Sequence, residues 1–342
     1  MKDGKIVAGV VGLQFGLRHL DGIIANGYEV GGICDNLPGR VEEYGAEYKL
    51  PPEKYYTDWH DMLNIGLDVV VIAVPDMLHR ELAVAFLDAG VNVLCEKPLA
   101  LNHEDLCAIA KAEARSTARF MCGQICRFTP SFVKAKEIVD VGTIGEVYFV
   151  ESEYAHDYMK ILADEKIWRA DPRRHGVIGG GCHAVDLLRW IAGDPEEVCA
   201  YGTHKLLPQV PYDDATIAIL KFPNNIIGKV FVSTGCKRNY TMRTLIYGTK
   251  GTIICDNTSK TLTLFTVDEE GVTKKPAEEI EIEVNNHNAQ KEIAVFVDAI
   301  LNNKPLMMSA SEGGKSAAAC IAIVESSEKG GVPTKPNYNF LA

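Results

Sequence analysis

At 342 residues the chain exceeds what one ordinary hydrophobic core supports, and its 47% hydrophobic and 24% charged residues suit a globular protein with two packed cores rather than a disordered one. A formal net charge of -11 removes the basic face that nucleic acid or an anionic membrane requires, leaving a small neutral molecule as the expected partner. The opening MKDGKIVAGVVG holds only a short apolar run broken by glycine, which resembles neither a secretory leader nor a membrane span, so a cytoplasmic protein is expected.

From residue 5 to about 125, β-branched runs alternate with helical ones: strands at 5–11, 28–35, 68–74, 91–95 and 120–124, helices at 17–27, 39–48, 79–90 and 103–114. Continuous apolar strands such as DVVVIAV (68–74) imply burial on both faces, hence a parallel sheet covered by helices. Directly after the first strand, VGLQFGLRH stands where a dinucleotide-binding loop reads G-x-G-x-x-G. Gly12 fills the first position, Gln14 takes the second, Phe15 follows it, and Gly16 sits one residue before the third. Asp35 ends the second strand 23 residues after Gly12, where a carboxylate accepts hydrogen bonds from a ribose diol and repels a 2′-phosphate. That favours NAD over NADP, with Asn36 beside it as a further discriminating position.

After residue 125 the texture changes. A helix at 131–141 is followed by strands near 146–154, 197–204, 214–222, 226–233, 242–247, 252–255, 260–266 and 279–284. Strands that follow strands predict an antiparallel sheet, with the helix from 183 and a terminal pair at 289–302 and 311–329 packed on one of its faces. The division is therefore a nucleotide-binding domain over 1–125 and an α+β domain over 126–342, the latter expected to bind substrate. Ten cysteines are scattered, several inside apolar runs, and read as small buried hydrophobes of a reducing compartment. Cys122 and Cys126 lack a second Cys/His pair nearby, so no structural metal is expected.

The segment VIAVPDMLHRELAVAFLDAGVNVLCEKPLAL (71–101) resembles the signature of the glucose-fructose oxidoreductase and inositol dehydrogenase family, and the resemblance continues through CRFTP (126–130), GTIGEV (142–147), WRADP (168–172) and IYGTKGTI (246–253). It implies an N-terminal Rossmann domain with a parallel sheet, then an α+β domain with a large, mostly antiparallel open sheet through which homodimers or homotetramers form. It also implies a nucleotide-contacting turn at Val74, Pro75 and His79, and a Glu96-Lys97-Pro98 corner with a cis Lys97-Pro98 bond, in which Lys97 touches both nicotinamide and substrate. Trp168 and Arg169 fall near the nicotinamide on the same ground. Independently, Lys97 lies just past the carboxyl end of a buried strand, where open α/β sheets bind ligands.

The stretch VIGGGCHAVDLLRWIAG (177–193) admits a phosphate cradle, a metal pair or an acid-base histidine. No convincing strand precedes the glycines, so close passage of the backbone to substrate or nicotinamide is the expected reason for them. Ala184, Leu188 and Ile191 recur at helical spacing, which places His183 at a helix N-terminus that favours neutral imidazole, a proton acceptor. Family members often read Asp-x-x-x-His-x-x-Asp here; this chain supplies His183 and Asp186 but has Gly179 in place of the first aspartate. Arg127 and Asp186 are the substrate-binding candidates, and Lys97 and His183 the catalytic ones. The expected function is an NAD-dependent dehydrogenase or reductase of a sugar or cyclitol hydroxyl. A redox glycosidase or lyase working through transient oxidation, and a non-catalytic NAD-binding scaffold, are the alternatives.

Overall fold

The computed structural model describes residues 5–164 and 168–341, apart from the side chains of 163 and 164. The chain divides into two compact units, one of Met1–Gln124, Asn288–Gly314 and Asn339–Ala342, the other of Ile125–His287 and Lys315–Tyr338. No helix among the described residues is long and apolar enough to cross a membrane.

The first unit opens with β1 (Val7–Val11), α1 (Gly16–Ala25), β2 (Glu29–Cys34), α2 (Arg40–Glu47), β3 (Tyr55–Tyr56), β4 (Val69–Ile72), α3 (His79–Asp88), β5 (Asn92–Glu96), α4 (His103–Arg115) and β6 (Phe120–Gly123). Its six strands are parallel in the order β3-β2-β1-β4-β5-β6, and every residue of β1 and β4 is buried, as their unbroken apolar sequence requires. Strand order reverses between β1 and β4. The connections from these neighbours leave in opposite directions, which opens a crevice at their carboxyl ends.

The second unit holds α5 (Pro130–Asp140), β7 (Val147–Ala155), α6 (Met159–Asp164), α7 (Gly176–Gly179), α8 (Cys182–Ala192), β8 (Glu197–Thr203), β9 (Ala215–Lys221), β10 (Ile227–Ser233), β11 (Thr241–Gly248), β12 (Gly251–Asp256), β13 (Thr261–Thr266) and β14 (Glu278–Glu281). The eight strands form one sheet, β14-β13-β12-β11-β7-β10-β9-β8, antiparallel throughout except for the β7-β10 pair. Alternation along the strands gives the sheet two different faces. Tyr154, Val230, Val232, Met242 and Ile246 are buried on the face that carries α8. The other face presents Ile217, Ile219 and Ile227, which are 43%, 48% and 49% exposed.

The chain then forms α9 (Ala289–Leu301) and α10 (Ala310–Glu328), with α10 grouped through Gly314 with the first unit and from Lys315 with the second. Here the structure corrects the sequence expectation, because α9 packs not on the antiparallel sheet but on α1 of the first unit. Gly22 permits it: a Cβ there would come 3.1 Å from Gln290 N and from Ile293 Cδ1. The apolar stripe Ile293, Phe296 and Val297 on α9 completes that core. Removing the fully buried Phe296 ring (Phe296→Ala) is expected to destabilise the first unit by about 3–5 kcal/mol, read as lost hydrogen-exchange protection of β1 and β4 amides. Unchanged protection in those strands contradicts the place of α9 in this core.

Candidate functional site

At the crevice, Gly12 follows β1 with φ +94°, and its N–H donates to Cys34 O at 2.8 Å. A side chain there would overlap the Ala73 carbonyl beyond β4, its Cβ lying 2.7 Å from the carbonyl carbon and 3.0 Å from Val74 N. Gly16 starts α1 against β1, where a Cβ would sit 2.7 Å from Val10 Cγ1. The close helix-strand packing assigned to the third glycine of the motif is thus done by Gly16, in a loop one residue shorter than the pattern. Between them Gln14 is exposed, and Phe15 is half-buried with the Arg18 guanidinium 5.2 Å above its ring.

Asp35 closes β2 and is buried, with Oδ2 accepting from Leu13 N at 2.8 Å and Oδ1 from Leu37 N at 2.9 Å. Two backbone donors leave further lone pairs on a carboxylate, so the group fits a ribose diol while tying the glycine loop to β2. Asn36 beside it is exposed, and Arg40 Nη1 lies 3.7 Å from Oδ2. Val74 and Pro75 are half-buried at the end of β4. His79 differs from expectation. It is fully buried, with Nδ1 2.9 Å from Pro98 O and Nε2 3.1 Å from Val74 O, so it fastens two turns together instead of presenting its ring to a nucleotide.

Glu96 ends β5, and the Lys97-Pro98 bond that follows is cis. Lys97 is half-buried, whereas Glu96 is buried, taking its own bonds from His19 Nε2 at 2.7 Å and from Lys97 N at 3.2 Å. Burial pushes the Glu96 carboxyl up, but the hydrogen bonds it accepts from His19 and the Lys97 amide, with the Lys97 charge, outweigh it and hold the group below its ordinary range.

In the second unit His183 lies in the first turn of α8, as the helical spacing predicts, buried with its ring stacked 6.3 Å from that of Tyr154. Tyr154 Oη shares hydrogen bonds with Tyr158 Oη at 2.9 Å and His156 Nδ1 at 3.1 Å. Burial and the neighbouring Tyr158 and Tyr240 push the Tyr154 phenol well up, so it stays neutral. Cys182 is buried with Sγ 4.0 Å from Gly179 O and Gly180 O. Among the described residues no group of three or more His, Cys, Asp or Glu side chains is arranged to hold a metal.

A side chain on any of the three glycines would meet protein. A Cβ at Gly179 would overlap the Arg174 guanidinium, 2.7 Å from Nη2; at Gly180 it would lie 2.5 Å from Tyr154 Cε1; at Gly181 it would overlap Val232. Arg174 is only 1% exposed, and its guanidinium lies 5.1 Å over the Trp168 ring, with Arg169 at 4.3 Å from the same ring. A buried cation therefore fills the space that a residue-179 side chain would use. Asp186 is a second correction. It has no exposed surface and accepts from Arg127 Nε at 2.8 Å, Arg127 Nη2 at 2.9 Å and Ser316 Oγ at 2.6 Å, with Arg189 Nη1 3.7 Å away. Burial raises the Asp186 carboxyl, yet Arg127 and Arg189 dominate and hold it low. This bidentate pair closes the underside of α8, and Arg127 lies 5.5 Å over Trp190.

Sequence reasoning missed Arg174, His19 and Glu292. The signal for His19 was a polar residue four before Ile23 on the buried face of α1; Arg174, in the irregular stretch DPRRHG, gave none.

A parallel sheet with a bare glycine turn at its switch point, a carboxylate ending β2 and a lysine just past β5 define a dinucleotide-binding oxidoreductase unit. The chain belongs to the GFO/IDH/MocA family: residues 6–124 match the oxidoreductase family with NAD-binding Rossmann fold, and residues 132–254 match the GFO/IDH/MocA C-terminal domain. Myo-inositol 2-dehydrogenase of Thermotoga maritima is 26% identical over 318 residues, 89% of this chain and 91% of the relative. Inositol 2-dehydrogenase of Salmonella typhimurium is 28% identical over 256 residues, 73% of this chain and 72% of the relative. Levoglucosan dehydrogenase in complex with NADH shares the fold, with a TM-score of 0.89 over 97% of this chain and 99% of that one at 22% identity.

Because Arg127 is the main neutralising partner of a fully buried carboxylate, Arg127→Ala is expected to destabilise the second unit by about 3–5 kcal/mol, seen in urea unfolding followed by Trp190 fluorescence. A variant of parental stability whose only defect is a raised KM contradicts the structural role and restores substrate contact.

Proposed function

We infer that the protein is an NAD-dependent oxidoreductase that interconverts a CH–OH group and its carbonyl on a sugar, sugar derivative or cyclitol. What carries the reading is the strand-end corner of the first unit. Gly12 leaves the backbone bare at the switch point, Asp35 offers a carboxylate to a ribose diol, and Lys97 follows the carboxyl end of β5. NAD when bound supplies the hydride acceptor, and the dehydrogenases of inositol and levoglucosan among the similar proteins support both cofactor and substrate class.

We assign Lys97 and His183 as the groups that exchange the hydroxyl proton. Lys97 has three N–H donors and polarises a carbonyl oxygen when ionised. His183 sits at the positive end of α8, which favours an uncharged ring able to accept a proton. Tyr154, neutral and stacked on it, holds the ring plane. Arg127 and Asp186 serve by fixing α8 from below, and His79 by fixing the turns at Val74 and Pro98. Trp168 and Arg169 are assigned to the nicotinamide on the WRADP resemblance.

The open face of the second unit's sheet is proposed to be covered by a second copy of the chain, in a homodimer or homotetramer. Ile217, Ile219 and Phe231 cluster there around the registered pair Ile217–Phe231, and Ile227 faces Phe149 beyond the intervening Lys229–Glu151 ion pair. A cytoplasmic location is supported by ten cysteines that are all free.

His183→Ala is expected to lower turnover by about a hundredfold or more while NADH affinity is retained, and Cys182→Ser to keep near-parental turnover. Rates with NAD+ on the polyol of highest turnover, and NADH titration by fluorescence, read both. Parental turnover in His183→Ala removes the histidine from catalysis.

A further inference from the structure

Behind Lys97, the first unit buries three titratable side chains that the reaction above does not employ. His19 comes from α1, Glu96 from the end of β5 and Glu292 from α9. His19 Nε2 is 2.7 Å from Glu96 Oε1, and His19 Nδ1 is 3.9 Å from Glu292 Oε2. Glu96 uses its other oxygen to accept from the backbone N–H of Lys97. Both Glu292 oxygens and His19 Nδ1 are buried without a hydrogen-bond partner among the described residues.

Stability does not explain Glu292. It lies on the apolar stripe of α9 beside Ile293 and Phe296, where a leucine would pack without desolvating a carboxyl. Burial, reinforced by the Glu96 carboxylate, pushes its pKa well up, so it is a neutral acid with an O–H to donate. His19 Nδ1, itself without a hydrogen-bond partner among the described residues, lies 3.9 Å from Glu292 Oε2, and an approach of about 1 Å brings the two to hydrogen-bond length. One direction of donation then runs through the whole set: Glu292 O–H to His19 Nδ1, His19 Nε2–H to Glu96 Oε1, and Lys97 N–H to Glu96 Oε2. Each group fixes the rotamer or tautomer of the next.

We propose that Glu292, His19 and Glu96 are a buried positioning relay that holds the backbone of Lys97, and so the aim of its side chain, for the reaction. The proposal rests on the reading of Lys97 as a proton-handling group, and it gives α9 a reason to carry a carboxyl.

The test compares full-length His19→Leu, His19→Gln, Glu96→Gln, Glu292→Leu, Glu292→Gln and the double variant His19→Leu/Glu96→Gln in the presence of NADH. The first readout is the rate of reductive methylation of Lys97 by formaldehyde and cyanoborohydride, followed by mass spectrometry, which needs no substrate. The second is kcat and KM with NAD+ and myo-inositol. His19→Leu and Glu96→Gln should each change the Lys97 methylation rate by about fivefold or more, and the double variant no further, since linked groups are not additive. Glu292→Leu should give a smaller change in the same direction, and His19→Gln and Glu292→Gln, which keep a donor, should return most of it. Where the parent turns over, kcat should fall by about ten- to a hundredfold with KM unchanged. Unchanged Lys97 methylation in variants that still bind NADH overturns the relay, as do additive effects in the double variant. Absence of NAD+ reduction by the parent on any polyol refutes the functional reading instead, and the methylation result still decides the relay.

Discussion

A bare backbone at Gly12 is the constraint on which the nucleotide end of this protein depends. Parallel packing of β1 and β4 brings the chain beyond each strand so close that one methyl group on residue 12 would overlap the Ala73 carbonyl. The same closeness dictates Gly16, where α1 has to lie on Val10 and Ala73. Asp35 then ties the loop down through the Leu13 amide, so a single carboxylate shapes the loop beside the end of β2. The anion-attracting first turn of α1 and the carboxylate on β2 are thereby fixed relative to one another before any cofactor arrives.

The second unit solves a different problem, the burial of guanidinium groups beneath a histidine. Arg127 and, from within α8, Arg189 converge on Asp186, and Arg174 fills the space beside Gly179. Such groups are expensive to bury singly, so each is matched by a carboxylate, an aromatic face or a missing side chain. The glycine triplet ahead of Cys182 follows from that packing: Arg174, Tyr154 and Val232 occupy the room that three side chains would need. His183 is held in place by this surround, and its stacking on Tyr154 is one consequence.

Much of this was legible in the sequence, for identifiable reasons. Period-two and unbroken apolar runs marked the eight strands of the second unit and the buried strands of the first, because burial on one face or two leaves a direct trace in residue order. Gly12 and Asp35 were legible because backbone closeness and charge placement restrict residue type, and the Glu96-Lys97-Pro98 corner was legible through the family resemblance. The misreadings concern long-range partners. An apolar stripe on α9 says that the helix packs, and nothing in it says that α1 of the first unit, not the antiparallel sheet, is the surface. Asp186 reads as a substrate ligand until Arg127, 59 positions away, is seen to claim both of its oxygens. His79 and Arg174 are polar residues whose partners, two backbone carbonyls and an absent Cβ, have no sequence signature at all.

The central claim, that this chain moves hydride between NAD and a CH–OH group of a polyol, is tested most directly by following NADH absorbance at 340 nm with the parent protein, NAD+ and a panel of inositols, monosaccharides, anhydrosugars and glycosides. The account predicts stoichiometric, continuing accumulation of NADH with at least one inositol or sugar. Release of an aglycone from a glycoside with no net NADH formed would contradict it, and would point to transient oxidation as one step of bond cleavage.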